Sequence, residues 1–512
     1  MSAIGPAPPT ATSAHSRRTS SAWAPLLLTP AVLFLHGFHP FAGDAGIYVA
    51  GVRHLLDPML YPLNSVFVSA FTHWSLFAWS IAGFIRLTHL SMGWALLIAH
   101  LVSIALFLFA CRQLAFRLFN RESTRWCAVL LAAACFTLPV AGTALVLMDP
   151  YVTARSFSTP LSLIAVAACL DSARLQSWIR TALLLAVTAA VHPLMAAYAT
   201  AFIVLYAWIA AGRTRIAVAL CALAVAGAGI AFAFAHRRLV NPDYREAVLL
   251  APRAFLFLAR WRWYEDLGLV LPLLLFGVAW GTLRPPRPTR DPKRNLCLTC
   301  IVLGVTSTII AALFVSPSGP YPLVPLQVLR SFHLIYAIGM VLAAGPVAAL
   351  LGRFRTVTVV FFALLFVGIS LAEPLSWPDC RRIEWPGAGP VNPYQQAFLW
   401  IRSNTPRNAV FAFNPQLVYV PNEDEQGFRA NARRDHLADD KDAGIAAVLP
   451  FLATRWATQR NPAFSVDKMS DHDRRAVLQP LGATWLLLPP EAPTDYPCLW
   501  QNSVAKICRI TP

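Results

Sequence analysis

Charged residues are scarce in this sequence. They make up only 13% of the 512 residues, whereas soluble domains contain about 25%. Hydrophobic residues make up 57%. Apolar stretches, each long enough to cross a hydrocarbon core of about 30 Å, recur at 92–111, 126–147, 216–235, 295–315 and 356–372. The composition therefore excludes a wholly soluble protein and predicts a polytopic membrane protein.

Several sequence signatures of catalysis and transport are also missing. The sequence contains no Walker loop, no GxGxxG at a strand–helix turn, no GxSxG and no HExxH, so ATP, nicotinamide and serine-hydrolase chemistry are unsupported. It also shows no convincing internal repeat, which argues against a transporter built from inverted repeats.

The net charge of +17 is confined to one part of the chain. Residues 1–372 hold 27 Lys and Arg against 10 Asp and Glu, whereas residues 373–512 hold 15 of each kind. The basic excess belongs to the membrane part, where it sets topology, and it does not indicate a nucleic-acid partner. The balanced segment 373–512 has no apolar run long enough to span, so we expect a soluble domain of ordinary size.

The basic clusters predict about eleven spans within 23–372, preceded by a disordered cytoplasmic segment, 1–22. The predicted spans lie at about 23–38, 92–111, 126–147, 157–171, two helices that meet at 192–193, 216–235, 267–283, 295–315, 327–350 and 356–372. The predicted outer loops are 39–91, 148–156, 236–266 and 316–326. This arrangement puts 17 Lys and Arg inside and 10 outside, and it makes segment 373–512 extracytoplasmic.

Segment 66–87 is apolar enough to cross the membrane. A crossing there would turn the cluster of Arg112, Arg117, Arg121 and Arg125 outward, against the positive-inside rule. We therefore predict a juxtamembrane helix at the outer interface. High Arg and Pro usage favours a GC-rich bacterium, and the expected location is the inner membrane. The basic loop 284–294 is expected to contact anionic membrane lipid.

Segment 373–512 is predicted to be an α/β domain. Helical patterns cover 393–406 and part of 444–459, strands are expected at 408–413 and 503–510, and 473–490 is typical of a helix, a turn and a buried strand. Residues 422–442 are predicted to be a charged, mobile loop. Cys498 and Cys508 can form a disulfide if the domain is extracytoplasmic, but the sequence does not decide this pairing.

The carboxylates of the membrane part lie at the ends of apolar segments. Asp44 stands in FAGDAGIY, Asp149 in MDPYVTAR, and Glu265 with Asp266 in WRWYEDLG. All four are on the predicted outer side. Carboxylates that gather at one rim and avoid mid-helix positions favour an active site at the membrane surface over a proton wire.

The order of these motifs resembles the GT-C superfamily of integral membrane glycosyltransferases. GDAGIYVAGVRHLLDP (43–58) matches an acidic first outer loop, 66–87 matches the juxtamembrane helices, and MDPYVTARSFSTP (148–160) matches an acidic second outer loop. FLWIRSNTPRNAVFAF (398–413) is similar to the start of the extracytoplasmic domain in bacterial members. Neither loop contains a DxD, so no cofactor is implied firmly and a divalent metal stays open.

The resemblance implies an inverting transfer of a sugar from a polyprenyl-phosphate carrier to an extracytoplasmic glycan, lipid or protein acceptor. Asp44 would be the general base. The structural alternative is that Asp44 caps the helix beginning at Ala45. Two other functions stay open, a flippase for a lipid-linked glycan and a catalytically inactive scaffold.

The remaining candidates each have a functional and a structural interpretation. Asp149, as a second catalytic carboxylate, and Arg155 would orient acceptor and phosphate, or else form an ion pair that holds their loop. His192 would contact phosphate or acceptor, or else be satisfied by a neighbouring backbone group.

Two further groups complete the predicted site. Arg245, Glu265 and Asp266 in the long outer loop would bind sugar and phosphate, or else belong to an amphipathic interfacial helix. Arg330 and His333 lie three residues apart at the predicted outer start of a span, so they share a helix face. They would bind the lipid phosphate, or else anchor the helix at the interface.

Overall fold

The computed structural model describes residues 24–171, 175–237, 239–283, 291–352, 355–419 and 427–511. These residues form a mostly helical protein with one small sheet. The helices are α1 (Thr29–His36), α2 (Ala45–Leu56), α3 (Ser65–Ser69), α4 (Phe77–Thr88), α5 (Met92–Leu118), α6 (Glu122–Ala134), α7 (Ala154–Cys169), α8 (Leu175–Val191), α9 (Pro193–Ala210), α10 (Thr214–His236), α11 (Pro242–Leu249), α12 (Trp263–Thr282), α13 (Pro292–Phe314), α14 (Phe332–Leu351), α15 (Arg355–Ser376), α16 (Pro393–Asn404), α17 (Phe428–Ala432), α18 (Asp442–Val448), α19 (Ala453–Ala463) and α20 (Asp471–Leu478).

Seven helical segments among the described residues are long and apolar enough to cross a membrane. They are Met92–Leu118, Pro193–Ala210, Thr214–His236, Trp263–Thr282, Pro292–Phe314, Val324–Leu351 and Thr356–Ser376. Three shorter apolar helices, Pro25–His36, Ala154–Cys169 and Leu175–Val191, coincide with predicted spans but are below spanning length. The chain is therefore a polytopic helical membrane protein, and length and composition do not support the full count of eleven spans.

The predicted span at 126–147 is helical only in its first part. Helix α6 ends at Ala134, and the chain then runs irregularly to Thr153, with an antiparallel bridge between Pro139 and Val146. Pro139 restricts its neighbour to extended backbone and cannot donate a helical hydrogen bond. The apolar composition that suggested a span instead reflects burial of this irregular segment against the helices around it.

Segment 66–87 forms two helices rather than one. Ser65–Thr72 and Phe77–Thr88 meet at an angle of 94°. The Oγ of Ser75 lies at the corner and donates a hydrogen bond to the carbonyl oxygen of Val191 at 2.5 Å. A bend of this size is incompatible with a straight membrane span. The placement of segment 66–87 at the outer membrane surface stays a prediction.

The C-terminal segment folds as an α/β domain around a five-stranded sheet. The strands are β1 (Val410–Ala412), β2 (Asp435–His436), β3 (Trp485–Leu488), β4 (Cys498–Gln501) and β5 (Lys506–Arg509), in the order β2-β1-β3-β5-β4. The first three are parallel, and β5 runs antiparallel to both β3 and β4. All four residues of β3 are buried, because side chains pack on both faces of the sheet. A disulfide joins Cys498 to Cys508 across β4 and β5.

The prediction of a charged, mobile loop at 422–442 is wrong for the residues that the structure describes. From Phe428 onward the chain forms α17, β2 and the start of α18, and nearly all of it is buried. Arg429 donates two hydrogen bonds to the carboxylate of Asp442, at 2.7 and 2.9 Å. Charges that pair with one another can be buried, so a charged composition did not mean exposure here. Residues 422–426, like the predicted disordered segment 1–22 and residues 284–290 of the basic loop, lie outside the described residues.

This buried segment fastens the C-terminal domain to the loop that follows α2. The carboxylate of Asp435 accepts hydrogen bonds from the backbone N–H groups of Leu63 and Asn64, at 2.8 and 2.9 Å. The side chain of Asn64 donates in turn to the carbonyl oxygen of His436 at 2.7 Å. The domain is therefore held close to the loops of the helix bundle.

Replacing Asp435 with Ala is expected to lower the unfolding temperature of the purified protein. The change leaves two backbone N–H groups without their acceptor, at a cost of roughly 1–3 kcal/mol each. Thermal unfolding and the rate of proteolytic release of the C-terminal domain measure the effect. Asp495→Asn, at an exposed position of the same domain, is the control. Equal stability of the two variants would show that Asp435 does not hold the two parts together.

Candidate active site

One cavity of about 590 Å³ lies between the helix bundle and the C-terminal domain. Its polar lining includes Asp44 at the start of α2, Arg155 in the first turn of α7, His192 before α9, and Arg330 in the short 3-10 turn before α14. The C-terminal domain contributes Lys441, directly before α18. The lining also contains the polar residues Tyr48, Ser75, Tyr151, Arg253, Gln327 and Asp440. Its larger apolar side chains are Ile47, Phe71, Trp74, Val191, Leu194, Phe255, Ile445, Val448 and Leu449.

Asp44 is held by ion pairs and does not cap its helix. Although it occupies the N-cap position of α2, its side chain makes no capping hydrogen bond. Its Oδ2 accepts a hydrogen bond from Arg155 at 3.1 Å, and its Oδ1 lies 3.9 Å from the Nζ of Lys441. The side chain remains 38% exposed toward the cavity. The carboxylate is thus available to a ligand, and the capping interpretation is wrong.

The preceding residue allows this placement. Gly43 has a φ of +52°, and a Cβ there would lie 2.8 Å from the hydroxyl oxygen of Tyr151. Any side chain would meet both backbone strain and a clash. The glycine therefore lets the loop bring Asp44 up against the 148–156 segment.

Arg155 is shared between two carboxylates. Its Nη1 contacts Asp44, while its Nη2 donates to the Oδ2 of Asp149 at 3.1 Å. Arg155 and Asp149 are 8% and 5% exposed. Asp149 also accepts a hydrogen bond from the hydroxyl of Thr153 at 3.4 Å. Asp149 and Arg155 therefore form an ion pair, which is the structural interpretation given for them above. Asp149 holds the guanidinium through Nη2, while Nη1 contacts Asp44.

The two carboxylates differ in their electrostatic surroundings. Burial raises the pKa of Asp44, but the charges of Arg155, Lys441 and Arg330 outweigh it and hold that pKa well below its usual range. The pKa of Asp149 is raised, because burial and the charge of Asp44 outweigh the effect of Arg155. Asp44 is thus the firmly ionised member of the pair.

His192 and Arg330 both line the cavity, and they differ in the hydrogen-bond partners of their side chains. His192 caps α9, with its Nδ1 accepting a hydrogen bond from the backbone N–H of Met195 at 3.4 Å. The expected backbone partner is present, yet the ring still faces the cavity. Arg330 lies over the ring of Phe255 at 4.8 Å, and its Nε has no acceptor among the described residues. Arg330 is therefore well placed to bind an anion.

The other predicted site residues lie elsewhere. The Nε2 of His333 donates to the carbonyl oxygen of Leu147 at 2.9 Å, so this ring supports the irregular 135–153 segment. Arg245 is exposed on α11. Glu265 accepts a hydrogen bond from the N–H of Arg262 at the start of α12, next to the half-buried Asp266. Glu265 lines a neighbouring cavity of about 410 Å³ together with Asp149, Tyr151 and Trp261.

Lys441 is the residue that sequence reasoning missed. It lies in the segment predicted to be a mobile loop, almost 400 positions from Asp44 in the sequence. The buried pairing of Arg429 with Asp442 fixes the residue next to it. The run of alternating charges in RRDHLADDKD was the available signal, since such charges can pair internally.

A cluster of metal-ligating residue types lies outside the cavity. His39, Cys380 and Glu384 bring one ligand atom each to within 4.8 Å of one another, a donor set that suits zinc. The Nδ1 of His39 lies 3.0 Å from Glu384, and its ring stacks on Trp377. Burial lowers the pKa of His39, but Cys380, Glu373 and Glu384 outweigh it and raise that pKa to about 10. A protonated imidazole held by carboxylates accounts for this arrangement. The CxxC spacing of Cys297 and Cys300 lies inside α13, and both thiols are buried.

The fold is similar to that of an archaeal oligosaccharyltransferase. The chain is similar to the archaeal oligosaccharyltransferase AglB from Archaeoglobus fulgidus, solved with an inhibitory peptide and a dolichol-phosphate, with a TM-score of 0.50 and 13% identity over 92% of this chain and 70% of that one. A structure of the Archaeoglobus fulgidus oligosaccharyltransferase with zinc and sulfate gives 0.47 and 12% over 91% and 68%. No protein-family model and no curated protein sequence matches the chain.

Replacing Arg155 with Gln is expected to destabilise the protein by about 3 kcal/mol or more, because Asp149 would stay buried without its cation. The variant should regain stability as the pH falls from about 8 to about 5. A carboxyl whose pKa is raised in the folded state binds more protons there than in the unfolded chain. Lowering the pH therefore favours folding, and by more in the variant than in the wild type.

Unfolding temperatures across this pH range provide the measurement. Arg117→Gln removes a more exposed ion pair with Asp171 and serves as the control. If the two variants lose the same stability and show the same pH dependence, Arg155 is not the bridge between the carboxylates.

Proposed function

We propose that this protein is a membrane glycosyltransferase that transfers a sugar from a polyprenyl-phosphate carrier to an acceptor outside the cytoplasm of a bacterium. The observation that carries the proposal is the shared cavity, in which an ionised carboxylate, Asp44, lies beside three cations: Arg155, Arg330 and Lys441. The similarity in fold to AglB, whose structure contains a dolichol-phosphate, supports a phosphate-linked lipid donor.

The cations suit the leaving group. A glycosyl phosphate leaves with an additional negative charge on its phosphate oxygen, and nearby cations stabilise that charge. Arginine contributes paired, planar donors, while lysine contributes a compact point charge. The Nε of Arg330 has no acceptor among the described residues, so Arg330 can turn to a phosphate at little cost. Lys441 adds a second positive charge, with its Nζ 3.9 Å from Asp44.

The apolar wall suits the carrier lipid. Phe71, Trp74, Val191 and Leu194 line the same cavity as the cations, and Trp74 is strongly exposed. A polyprenyl chain needs an apolar groove that continues from the phosphate site into the membrane. The neighbouring cavity with Asp149, Trp261 and Glu265 offers carboxylates and an aromatic face for a sugar.

Asp44 is proposed to accept the proton of the acceptor. The acceptor oxygen forms a bond to the anomeric carbon, the bond from that carbon to the phosphate oxygen breaks with its electron pair, and the acceptor proton passes to Asp44. In the free protein the cations make Asp44 a weak base. A bound phosphate takes up these cations and adds negative charge, which raises the pKa of Asp44 at the moment when a base is needed.

Asp44→Asn is expected to abolish sugar transfer while folding stays intact, since the side chain keeps its size and is partly exposed. The assay uses purified protein, a polyprenyl-phosphate sugar and an acceptor mixture from the envelope. Binding of the lipid donor, measured in parallel, should be retained or strengthened. Transfer by this variant at the wild-type rate would contradict the assignment of Asp44 as the general base. Lipid translocation without transfer by the wild-type protein would favour a flippase.

Lys441→Met and Arg330→Met are each expected to weaken binding of the donor lipid roughly tenfold, because each removes a hydrogen bond between charged groups. Lys468→Met, at an exposed position of the same domain, provides the matched control. Binding is measured with a polyprenyl phosphate in detergent. An affinity unchanged in all three variants would contradict the proposed phosphate site.

A further inference from the structure

A second cavity, of about 420 Å³, lies at the other end of helix α2. Asp44 precedes the helix, whereas the second cavity is lined by Arg53, Leu56 and Asp57 at its carboxyl end. Arg53 lies nine positions after Asp44 in the sequence, which corresponds to about 13 Å along the helix axis. The two cavities have no lining residue in common, so the second one is a separate site.

Five guanidinium groups line this second cavity, against one carboxylate. They belong to Arg53, Arg402, Arg407, Arg433 and Arg434, and together they define the arginine pocket. Three structural elements supply them: α2, α16 with the turn after it, and the turn after α17. Such a concentration of one sign of charge is unfavourable unless anions offset it.

The described residues offset only part of this charge. Asp57 forms an ion pair with Arg407, and both are partly exposed. Arg434 donates to the carbonyl oxygens of Arg402 and Thr405, at 2.8 and 2.6 Å, which satisfies its donors without neutralising it. Arg53, Arg402 and Arg433 form no ion pair within the described part of the chain.

Arg53 has the least favourable position of the five. It is 5% exposed, and its Nε has no acceptor among the residues described. The Nε of Arg433 is likewise buried without an acceptor. Burial, together with the charges of Arg433 and Arg402, lowers the pKa of Arg53 to about 9. A buried cation with an unsatisfied donor is costly, and an anion placed among these groups would remove that cost.

We propose that the arginine pocket binds a phosphate group. Several guanidinium forks that converge on one cavity match the oxygens of a phosphate, which accept paired hydrogen bonds from arginine. The site is independent of the proposed transferase reaction, because none of its residues touches the Asp44 cavity.

The walls of the pocket favour a phosphate that belongs to a membrane lipid. Ile85 comes from the bent helix α4, and Met92 is the first residue of the 27-residue membrane helix α5. Leu87, between them in the sequence, is 82% exposed. The pocket therefore opens where a membrane helix begins, and the predicted placement of α4 at the membrane surface would put it at the depth of lipid headgroups.

The test uses the full chain in nanodiscs of phosphatidylcholine with or without phosphatidylglycerol, and in detergent with inorganic phosphate. Bound lipids are counted by native mass spectrometry, and phosphate affinity is taken from the shift in unfolding temperature. The double variant Arg402→Gln/Arg433→Gln removes two charges from the pocket. Arg475→Gln/Lys468→Gln removes two exposed charges elsewhere in the same domain and is the matched control.

We expect the wild type and the control to retain phosphatidylglycerol in preference to phosphatidylcholine, and the double variant to bind it at least about tenfold more weakly. Without ligand, the double variant should unfold at the same or a higher temperature, because like charges have been removed. This result also shows that it folds. Arg330→Met/Lys441→Met, in the Asp44 cavity, should leave this binding unchanged, which separates the two sites.

The proposal would be overturned if the double variant bound phosphatidylglycerol as tightly as the wild type does, and inorganic phosphate as tightly as well. A different result would be that the double variant loses its affinity for inorganic phosphate while no variant, nor the wild type, prefers phosphatidylglycerol. The pocket would then be assigned to a soluble phosphate compound. A lower unfolding temperature of the double variant without ligand would also contradict the proposal, since the cluster would then be stabilising by itself.

Discussion

The bridge that Arg155 forms between Asp44 and Asp149 is the interaction on which the rest of this site depends. A guanidinium that is almost fully buried requires neighbouring negative charge, and here it has two carboxylates at 3.1 Å each. Asp149 holds one side of the group and lies too deep to meet a ligand in the main cavity. Asp44 holds the other side and remains accessible. One cation thereby fixes the distance between two loops that are far apart in the sequence, and it keeps the accessible carboxylate ionised.

The C-terminal domain completes the electrostatics of the cavity. Lys441 reaches Asp44 because the adjacent Asp442 is locked by Arg429, and Asp435 binds the backbone of the loop after α2. Most of the charged side chains that make these contacts are buried, and the contacts are stable because nearly every one of these side chains has a partner. Removal of the domain would therefore do more than uncover the cavity, since it would delete one of the cations that act on Asp44.

Sequence patterns located the apolar helices and the loops that carry Asp44, Arg155, His192 and Arg330, because spans and their polar ends are recorded in local composition. Local patterns failed where burial is achieved by tertiary pairing. The 135–153 segment is apolar like a span, yet it is irregular around Pro139 and supported by His333. The 427–442 segment is charged like a surface loop, yet its charges pair internally, and Lys441 was missed for that reason. A contact between residues 44 and 441 has no signature in one sequence.

The walls of the main cavity come from both the helix bundle and the C-terminal domain, with Lys441, Ile445, Val448 and Leu449 supplied by the latter. Any displacement of that domain away from the bundle would widen the entrance and, in the same movement, withdraw the ammonium group from Asp44. Passage of a bulky molecule and the proton affinity of the carboxylate are thus mechanically coupled. With the cavity empty, Asp44 in such a chain would be a stronger base after the domain has moved away than while Lys441 stays beside it.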